Sequence, residues 1–251
     1  MNGKIHVRVV IPVLHSDELV DKCRHEYDHA AGPGVSMSYV CLEQGTATIE
    51  SKADLALAQP DTIRRCLEAE ADGCDAVVIA CFGDPGGAGA KELASIPIVG
   101  EGEAALHVGS LLADRLSIVT VRRETVPFMR TMVEQVRLDA KLASIRPVEF
   151  GVMDFDLNCV PDVVEQAYVA VTEDGAEAIV MGCTGTGVDM VPRITEQLAE
   201  RVGAYVPVVD PVCAAVSLAE LCARHGYRPS KRAFPTPLDA RHDFFAALGR
   251  P

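Results

Sequence analysis

A repeated twelve-residue pattern constrains the fold of this chain more than any other feature of its sequence. Residues 72–83 read DGCDAVVIACFG and residues 174–185 read DGAEAIVMGCTG, with six of the twelve positions identical. In both copies an Asp-Gly pair precedes an apolar run and a Cys-x-Gly triplet follows it. An apolar run bounded by turn residues indicates a buried strand. Because the turn residues recur together with the apolar ones, we infer two halves with one architecture.

The rest of the chain alternates between short apolar runs and longer amphipathic stretches. Apolar strands separated by helices indicate parallel sheets covered on both faces, so the sequence predicts an α/β protein. The predicted strands span 5–13, 37–42, 75–80, 96–99, 116–121, 145–150, 177–182 and 206–209. The predicted helices span 17–30, 52–72, 86–94, 101–113, 124–139, 160–174, 187–202 and 211–225. Ser51 and Thr125 are predicted N-caps, and Pro161 is a predicted first-turn proline.

Composition limits the kinds of molecule that the protein is expected to bind. The net charge of -13 repels a phosphate backbone, so we expect no nucleic-acid partner. We also expect no membrane partner, since the chain has no run of about 18 apolar residues and no signal-peptide pattern. Nine cysteines without a CxxC motif indicate free thiols in a reducing compartment, and we expect a cytoplasmic protein. The His25/His29 pair lacks a third ligand nearby, so no metal site is predicted.

Each copy of the repeat places a cysteine, Cys81 or Cys183, at the carboxyl end of a predicted strand. Open α/β sheets bind their ligands at that edge. The glycines that follow, Gly83 and Gly185, let the backbone turn tightly and approach a ligand. The next helix directs N–H groups and the positive end of its dipole toward the turn. We therefore expect the pKa of both thiols to be lowered from about 8.5.

Two related halves that face each other about a pseudo-two-fold axis bring one cysteine to each wall of the cleft between them. One thiolate can then remove a proton from one face of a carbon, while the other thiol supplies a proton to the opposite face. The carbanion between them has to be stabilised, and backbone N–H groups of the two turns are the predicted source. Cys81 and Cys183 are thus the candidate catalytic acid/base pair.

The other seven cysteines are interpreted mainly as packing residues, because free cysteine is among the most buried residue types. Cys41 ends a predicted strand and either lines the cleft or packs in the core. Cys159 lies in a predicted loop and is assigned no role. The remaining five lie in or beside predicted helices and are assigned to packing: Cys23, Cys66, Cys74, Cys213 and Cys222.

Several polar residues near the predicted strand ends have two interpretations. His15 follows the first strand and either contacts a substrate or stays solvated, with Ser16 capping the next helix. Asp84 is interpreted as a turn residue that caps the following helix rather than as an acid. Residues 122–123, a pair of arginines, either meet an anionic group or lie at the surface. Asp210 ends another strand and either lines the cleft or caps a helix.

Four motifs resemble those of the aspartate/glutamate racemase superfamily. They are ACFGDPG at 80–86, PIVGEGEAA at 97–105, SIVTV at 117–121 and GCTG at 182–185. The chain is most similar to the hydantoin and allantoin racemase branch, for which the CFGDPG block is quite specific. GCTG is typical of the wider superfamily. The resemblance spans most of residues 4–215.

This resemblance implies a racemase that needs no cofactor and uses two cysteines, which match Cys81 and Cys183. It also implies two pseudo-symmetric flavodoxin-like lobes with the active site in the cleft between them. The first lobe would comprise 1–114 and 210–251, because the last strand and helix return to it, and the second would comprise 115–209. The resemblance further implies substrate contacts beside each cysteine and after the first strand of the second half: Phe82, Gly83, Thr120, Val121, Thr184 and Gly185.

One loop departs from the pattern of the hydantoin racemase branch, which usually ends its first strand with an Asn-Pro-Asn-Thr type loop. Residues 11–16 read IPVLHS here, which keeps the proline but lacks the amides that would hydrogen-bond a hydantoin ring. A site that hydrogen-bonds polar groups discriminates strongly when those groups change. The resemblance therefore indicates the chemistry better than the substrate. Pro12 and His15 complete the predicted substrate-binding residues.

The sequence thus predicts a racemase or epimerase that inverts an acidic carbon next to a carbonyl, in a small hydantoin-like or amino-acid-derived substrate. Two alternatives on the same scaffold stay open: a maleate-type cis–trans isomerase with one cysteine as nucleophile, and a decarboxylase with one cysteine as proton donor. A non-catalytic small-ligand binding protein is a third. The expected partners are a small-molecule substrate and, by the resemblance, further copies of the chain in a homo-oligomer.

Overall fold

The computed structural model describes residues 4–237, apart from the side chain of Thr186, and contains two four-stranded parallel sheets. The first sheet has the strand order β2-β1-β3-β4 and the second has the equivalent order β6-β5-β7-β8. The strands are β1 Ile5–Leu14, β2 Val35–Leu42, β3 Ala76–Ile79, β4 Ile98–Gly100, β5 Leu116–Thr120, β6 Leu142–Pro147, β7 Ala178–Met181 and β8 Val208–Val209. The predicted fold class, two matching lobes with parallel sheets covered by helices, is confirmed.

Helices connect successive strands, as parallel pairing requires. They are α1 Asp17–Ala30, α2 Lys52–Ala71, α3 Gly87–Leu93, α4 Glu101–Leu112, α5 Val126–Gln135, α6 Val160–Thr172, α7 Gly187–Val202 and α8 Pro211–His225. None of the helices in the described part of the chain is both long enough and apolar enough to cross a membrane. The strand predicted at 145–150 is wrong by three residues, since β6 is a half-buried edge strand whose apolar pattern is weak.

The repeated Asp-Gly pair ends a helix just before a central strand. Gly73 and Gly175 both have a positive φ, 80° and 73°, which reverses the chain after α2 and α6. All four residues of β3 and all four of β7 are buried. The recurrence in sequence therefore reflects one repeated structural unit, in which a glycine-ended helix leads into a buried strand.

The last described helix, α8, packs against β1, β3 and β4 of the first sheet and against α1 and α4. This packing supports the predicted return of the last helix to the first lobe. The predicted return of the last strand is wrong, because β8 pairs with β7 in the second sheet. The lobe boundaries at 114/115 and 209/210 stay a prediction. Residues 1–3 and 238–251, which were assigned to the first lobe, lie outside the described residues.

The predicted helix starts are confirmed at Ser16, Ser51 and Pro161. The hydroxyls of Ser16 and Ser51 accept the N–H groups of residues three positions later, and Pro161 stands in the first turn of α6. Thr125 occupies the predicted N-cap position of α5, but its side chain does not cap the helix. A 3-10 turn precedes α5 and gives Thr125 helical backbone angles, so its hydroxyl donates to the carbonyl of Arg122 instead of capping the helix.

The predicted capping of the following helix by Asp84 is also wrong. The carboxylate of Asp84 accepts the N–H groups of Gly102 and Glu103, at 3.0 and 2.8 Å, and so caps α4. Because β3 and β4 are neighbours, their ends lie side by side and Asp84 reaches the helix that starts after β4. Gly100 is required there, since a Cβ on it would lie 2.1 Å from the carboxyl carbon of Asp84.

We expect Asp84→Ala to lower the free energy of unfolding by about 1–3 kcal/mol, because two partly buried N–H groups lose their acceptor. Asp84→Asn keeps one acceptor oxygen and should cost less. Urea denaturation measures both. Asp114→Ala is the matched control, because Asp114 is 93% exposed and forms a surface ion pair worth less than about 1 kcal/mol. Equal losses in Asp84→Ala and Asp114→Ala would contradict the assigned role.

Candidate active site

A cavity of about 140 Å³ opens at the carboxyl ends of both sheets, and residues of both halves line it. The first half contributes the end of β1, the turn after β3, one face of α1 and the loop before α2. The second half contributes residues that follow β5, β6 and β7 and two side chains of α5. The strand ends that the sequence predicted to meet therefore share one cavity.

Both repeat cysteines lie in this cavity, in matching turns. Cys81 follows β3 and Cys183 follows β7, each after one intervening residue. The N–H of Gly83 donates to Sγ of Cys81 at 3.4 Å, and the N–H of Gly185 donates to Sγ of Cys183. A thiolate at Cys183 would raise the pKa of Cys81, so the two sulfurs are close enough to interact electrostatically.

The predicted lowering of the thiol pKa values is wrong. Burial raises the pKa of Cys183 to about 11 and raises that of Cys81 further. In each turn the glycine N–H lowers the pKa, but desolvation of the thiolate is the larger effect. The helix that follows Cys81 is α3, and it begins only at Gly87, so its dipole adds little at the sulfur. Both thiols are therefore protonated at neutral pH.

A buried carboxyl group, Glu101, joins the two halves at the edge of this site. It starts α4, and its carboxyl oxygens accept hydrogen bonds from the hydroxyl of Tyr27 and, at 2.7 Å, from that of Thr184. Burial raises the pKa of Glu101 to about 8. Its negative charge would raise the pKa of both Cys81 and Cys183. The sequence analysis did not select Glu101, although its position at the end of β4 could have identified it as a candidate site residue.

The helix α1 contributes charged side chains to the cavity that the sequence prediction missed. Glu18, Lys22 and Glu26 are spaced four residues apart and line it together. Glu26 accepts the N–H of Val188 at 2.7 Å, which requires Gly187, since a Cβ there would lie 1.3 Å from a Glu26 oxygen. The i, i+4, i+8 spacing of these charged residues, on the helix that follows the first strand, could have identified them in the sequence.

Six of the eight residues predicted to bind substrate line the cavity: Pro12, Phe82, Gly83, Val121, Thr184 and Gly185. The other two do not line it. His15 is exposed, and its Nε2 pairs with Asp17 at 2.9 Å. Thr120 is buried, and its hydroxyl pairs with that of Thr125 at 2.7 Å. Thr125 lines the cavity in its place, and the substrate contacts themselves stay a prediction.

Among the remaining cysteines, Cys23 departs from its assignment. It is buried on α1, as expected for packing, but it also lines the cavity. Cys41 packs in the core of the first half and not in the cavity lining, and Cys159 packs in the core of the second half. Cys213 is exposed, contrary to the packing assignment.

The arginines at 122–123 and the histidine pair on α1 lie toward the surface. Arg122 and Arg123 pair with Glu50 and Glu149, at 3.6 and 3.0 Å. His25 lies 3.4 Å from a carboxyl oxygen of Asp189. Within residues 4–237, no three His, Cys, Asp or Glu side chains are grouped so that they could hold a metal ion.

Comparison with known proteins agrees with this geometry. The family model described as Asp/Glu/hydantoin racemase matches residues 10–219. The hydantoin racemase of Paenarthrobacter aurescens is 37% identical over 227 residues, which cover 89% of this chain and 93% of that protein.

Two solved structures have the same architecture along nearly the whole chain. The allantoin racemase from Klebsiella pneumoniae superposes with a TM-score of 0.82 at 30% identity, over 94% of both chains. The allantoin racemase from Pseudomonas fluorescens superposes with a TM-score of 0.84 at 29% identity, over 94% of this chain and 99% of that one. The resemblance read from the motifs is confirmed: the chain belongs to the Asp/Glu/hydantoin racemase family and is an isomerase of the racemase class.

Proposed function

We propose that Cys81 and Cys183 exchange protons with opposite faces of one carbon atom and so invert a carbon next to a carbonyl group. The observation that carries this proposal is the matched setting of the two thiols. Each follows a fully buried strand, each accepts the N–H of the glycine two residues later, and both line one cavity. A cis–trans isomerase or a decarboxylase that uses one cysteine would not need a second thiol in the same environment.

The electrostatics of the pair suit this chemistry. A thiolate at Cys183 raises the pKa of Cys81, which is already the higher of the two, so the first ionisation occurs at Cys183 and leaves Cys81 protonated. One thiolate and one thiol then coexist. Inversion by two bases needs this state, with the thiolate removing a proton from one face and the thiol donating to the other.

For the substrate, we propose a hydantoin whose acidic carbon carries an apolar substituent. The relatives described above act, by their names, on hydantoins or on allantoin. Allantoin carries a polar ureido group, whereas the walls of this cavity are mainly apolar, and apolar walls do not compensate buried polar groups. The apolar side chains are those of Ile11, Val13, Leu19, Ile49, Phe128, Met129, Val152 and Met153.

We expect the protein to racemise 5-isobutylhydantoin or 5-benzylhydantoin with a kcat/KM at least about tenfold above that for allantoin, since burying an unpaired polar group costs about 1–3 kcal/mol. Chiral chromatography of single enantiomers measures this. In deuterium oxide the inverted product should carry deuterium at the acidic carbon. Preference for allantoin would contradict the proposed substituent, and inversion without deuterium would contradict the proton-transfer mechanism.

We expect Cys81→Ser and Cys183→Ser each to reduce racemisation about 10²–10⁴-fold, the usual contribution of a positioned acid or base. Each variant should still exchange the substrate proton with deuterium in one enantiomer, and the two variants should act on opposite enantiomers. NMR of single enantiomers in deuterium oxide detects this. Cys222→Ser, outside the cavity lining, is the control and should keep full activity. Exchange of the same enantiomer by both variants would exclude two opposed bases.

The charge state of Glu101 is linked to this site. With its pKa raised to about 8, the carboxyl group is mostly neutral at pH 7. It therefore carries little of the negative charge that would raise the pKa of the thiols further. The same shift makes stability depend on pH. Between about 4.5 and 8, the folded protein holds a proton that the unfolded chain has lost, so raising the pH favours unfolding.

We therefore expect the free energy of unfolding of the wild type to fall relative to that of Glu101→Gln as the pH rises from 5 to 8. The change should be on the order of a few kcal/mol, because each unit of pKa shift corresponds to about 1.4 kcal/mol. Urea denaturation at both pH values measures it. Glu165→Gln, which alters an exposed ion pair with Arg201, should show a much smaller change. A difference between wild type and Glu101→Gln that does not vary with pH would contradict the raised pKa.

A further inference from the structure

Lys22 lies on α1 and contributes its ammonium group to the wall of the cavity. Ser16 caps α1 just after β1, and Lys22, six residues later, lies on the face that lines the cavity. Its Nζ donates to the carbonyl of Phe155, in the second half, at 3.1 Å. In the described part of the chain Lys22 forms no ion pair, and an ammonium has three N–H donors. Donors therefore remain for a ligand.

The ammonium of Lys22 and the thiol of Cys183 lie on the same side of Gly185. A Cβ on Gly185 would stand 3.1 Å from Nζ of Lys22 and 3.8 Å from Sγ of Cys183. Gly185 thus leaves a space that both groups border. A ligand atom in that space meets a cation and a proton-transfer group together.

The charges around the two thiols differ. Lys22 is the cation whose charge lowers the pKa of Cys183, and Glu101 and Glu50 are the carboxyl groups that raise it. Around Cys81 the charged neighbours with the largest effects are Glu101 and Asp84, which both raise its pKa. Of the two thiols, only Cys183 therefore has a cation among the charged groups that affect its pKa most.

Removing the proton from a carbon next to a carbonyl produces negative charge on the carbonyl oxygen. The C–H bond breaks, its proton goes to the thiolate, and its electron pair forms the C=C bond of an enolate while the carbonyl π pair moves to oxygen. Reprotonation from the other thiol reverses the shift. A positioned cation or N–H donor at that oxygen stabilises the enolate more than the ground state, which is what accelerates the step.

We propose that Lys22 is a catalytic residue whose ammonium binds the substrate carbonyl oxygen beside Cys183 as that oxygen becomes negative. This inference rests on the proposed racemisation and adds an electrophile to it. It explains how the cavity can stabilise an enolate although the loop at 11–16 has no amide side chains. It also assigns one place to the substrate carbonyl, on the Cys183 side.

The test compares Lys22→Met and Lys22→Arg with the wild type on whichever hydantoin the wild type racemises fastest. Loss of an oxyanion donor typically lowers kcat about 10²–10³-fold. We expect that loss in Lys22→Met with KM changed less than about fivefold, and partial recovery in Lys22→Arg. Lys141→Met is the matched control, because it removes a lysine that also donates to backbone carbonyls, those of Ser110 and Ala113, but lies outside the cavity lining. It should keep kcat within about threefold.

A second readout needs no substrate. Because the Lys22 cation favours the Cys183 thiolate, Lys22→Met should slow alkylation of Cys183 by iodoacetamide about tenfold at pH 8, as a rise of one pKa unit would. Mass spectrometry of the Cys183 peptide measures it. Unchanged kcat in a Lys22→Met variant with wild-type folding would overturn the inference and leave the two-cysteine proposal intact. A wild type that racemises no hydantoin would instead overturn the proposed function, and unchanged alkylation would still count against Lys22.

Discussion

Parallel strand pairing determines where the chemistry of this protein can be. It brings the carboxyl ends of all four strands in each half to one edge, and the two edges face one cavity. The thiols follow β3 and β7, which have neighbours on both sides and are buried throughout. Cys81 and Cys183 are therefore held at the ends of central, fully buried strands, which suits the proposed alignment of both thiols with one carbon atom.

Three of the contacts that join the two halves at the cavity run from first-half side chains to second-half backbone. Lys22 donates to the carbonyl of Phe155, while Glu26 and Glu50 accept N–H groups of the second half. A backbone N–H or carbonyl is present whatever side chain its residue carries. These contacts therefore depend mainly on the side chains of α1 and of the loop before α2. The relative position of the two thiols thus depends on charged residues of one half.

Burial controls the electrostatics of the site. It raises the pKa of Cys183 and of Glu101 together, so the resting cavity holds neutral thiols and a largely neutral carboxyl group at pH 7. Neutral thiols and a neutral carboxyl group cost less to bury than ionised ones. The proposed proton transfer needs a thiolate, and Lys22 is the cation that favours one at Cys183.

The sequence by itself determined the architecture and the two cysteines. Apolar runs alternating with amphipathic stretches dictate parallel sheets, and the doubled Asp-Gly and Cys-x-Gly motifs locate both thiols, because these signals are local in the chain. The predicted strand boundaries were least accurate at β6, because β6 is an edge strand and its residues are only half-buried. The signs of the thiol pKa shifts were wrong, because desolvation depends on packing from distant segments. Only the tertiary structure brought Glu101 to Thr184, Lys22 to Phe155 and Asp84 to α4, since each pair joins segments far apart in sequence.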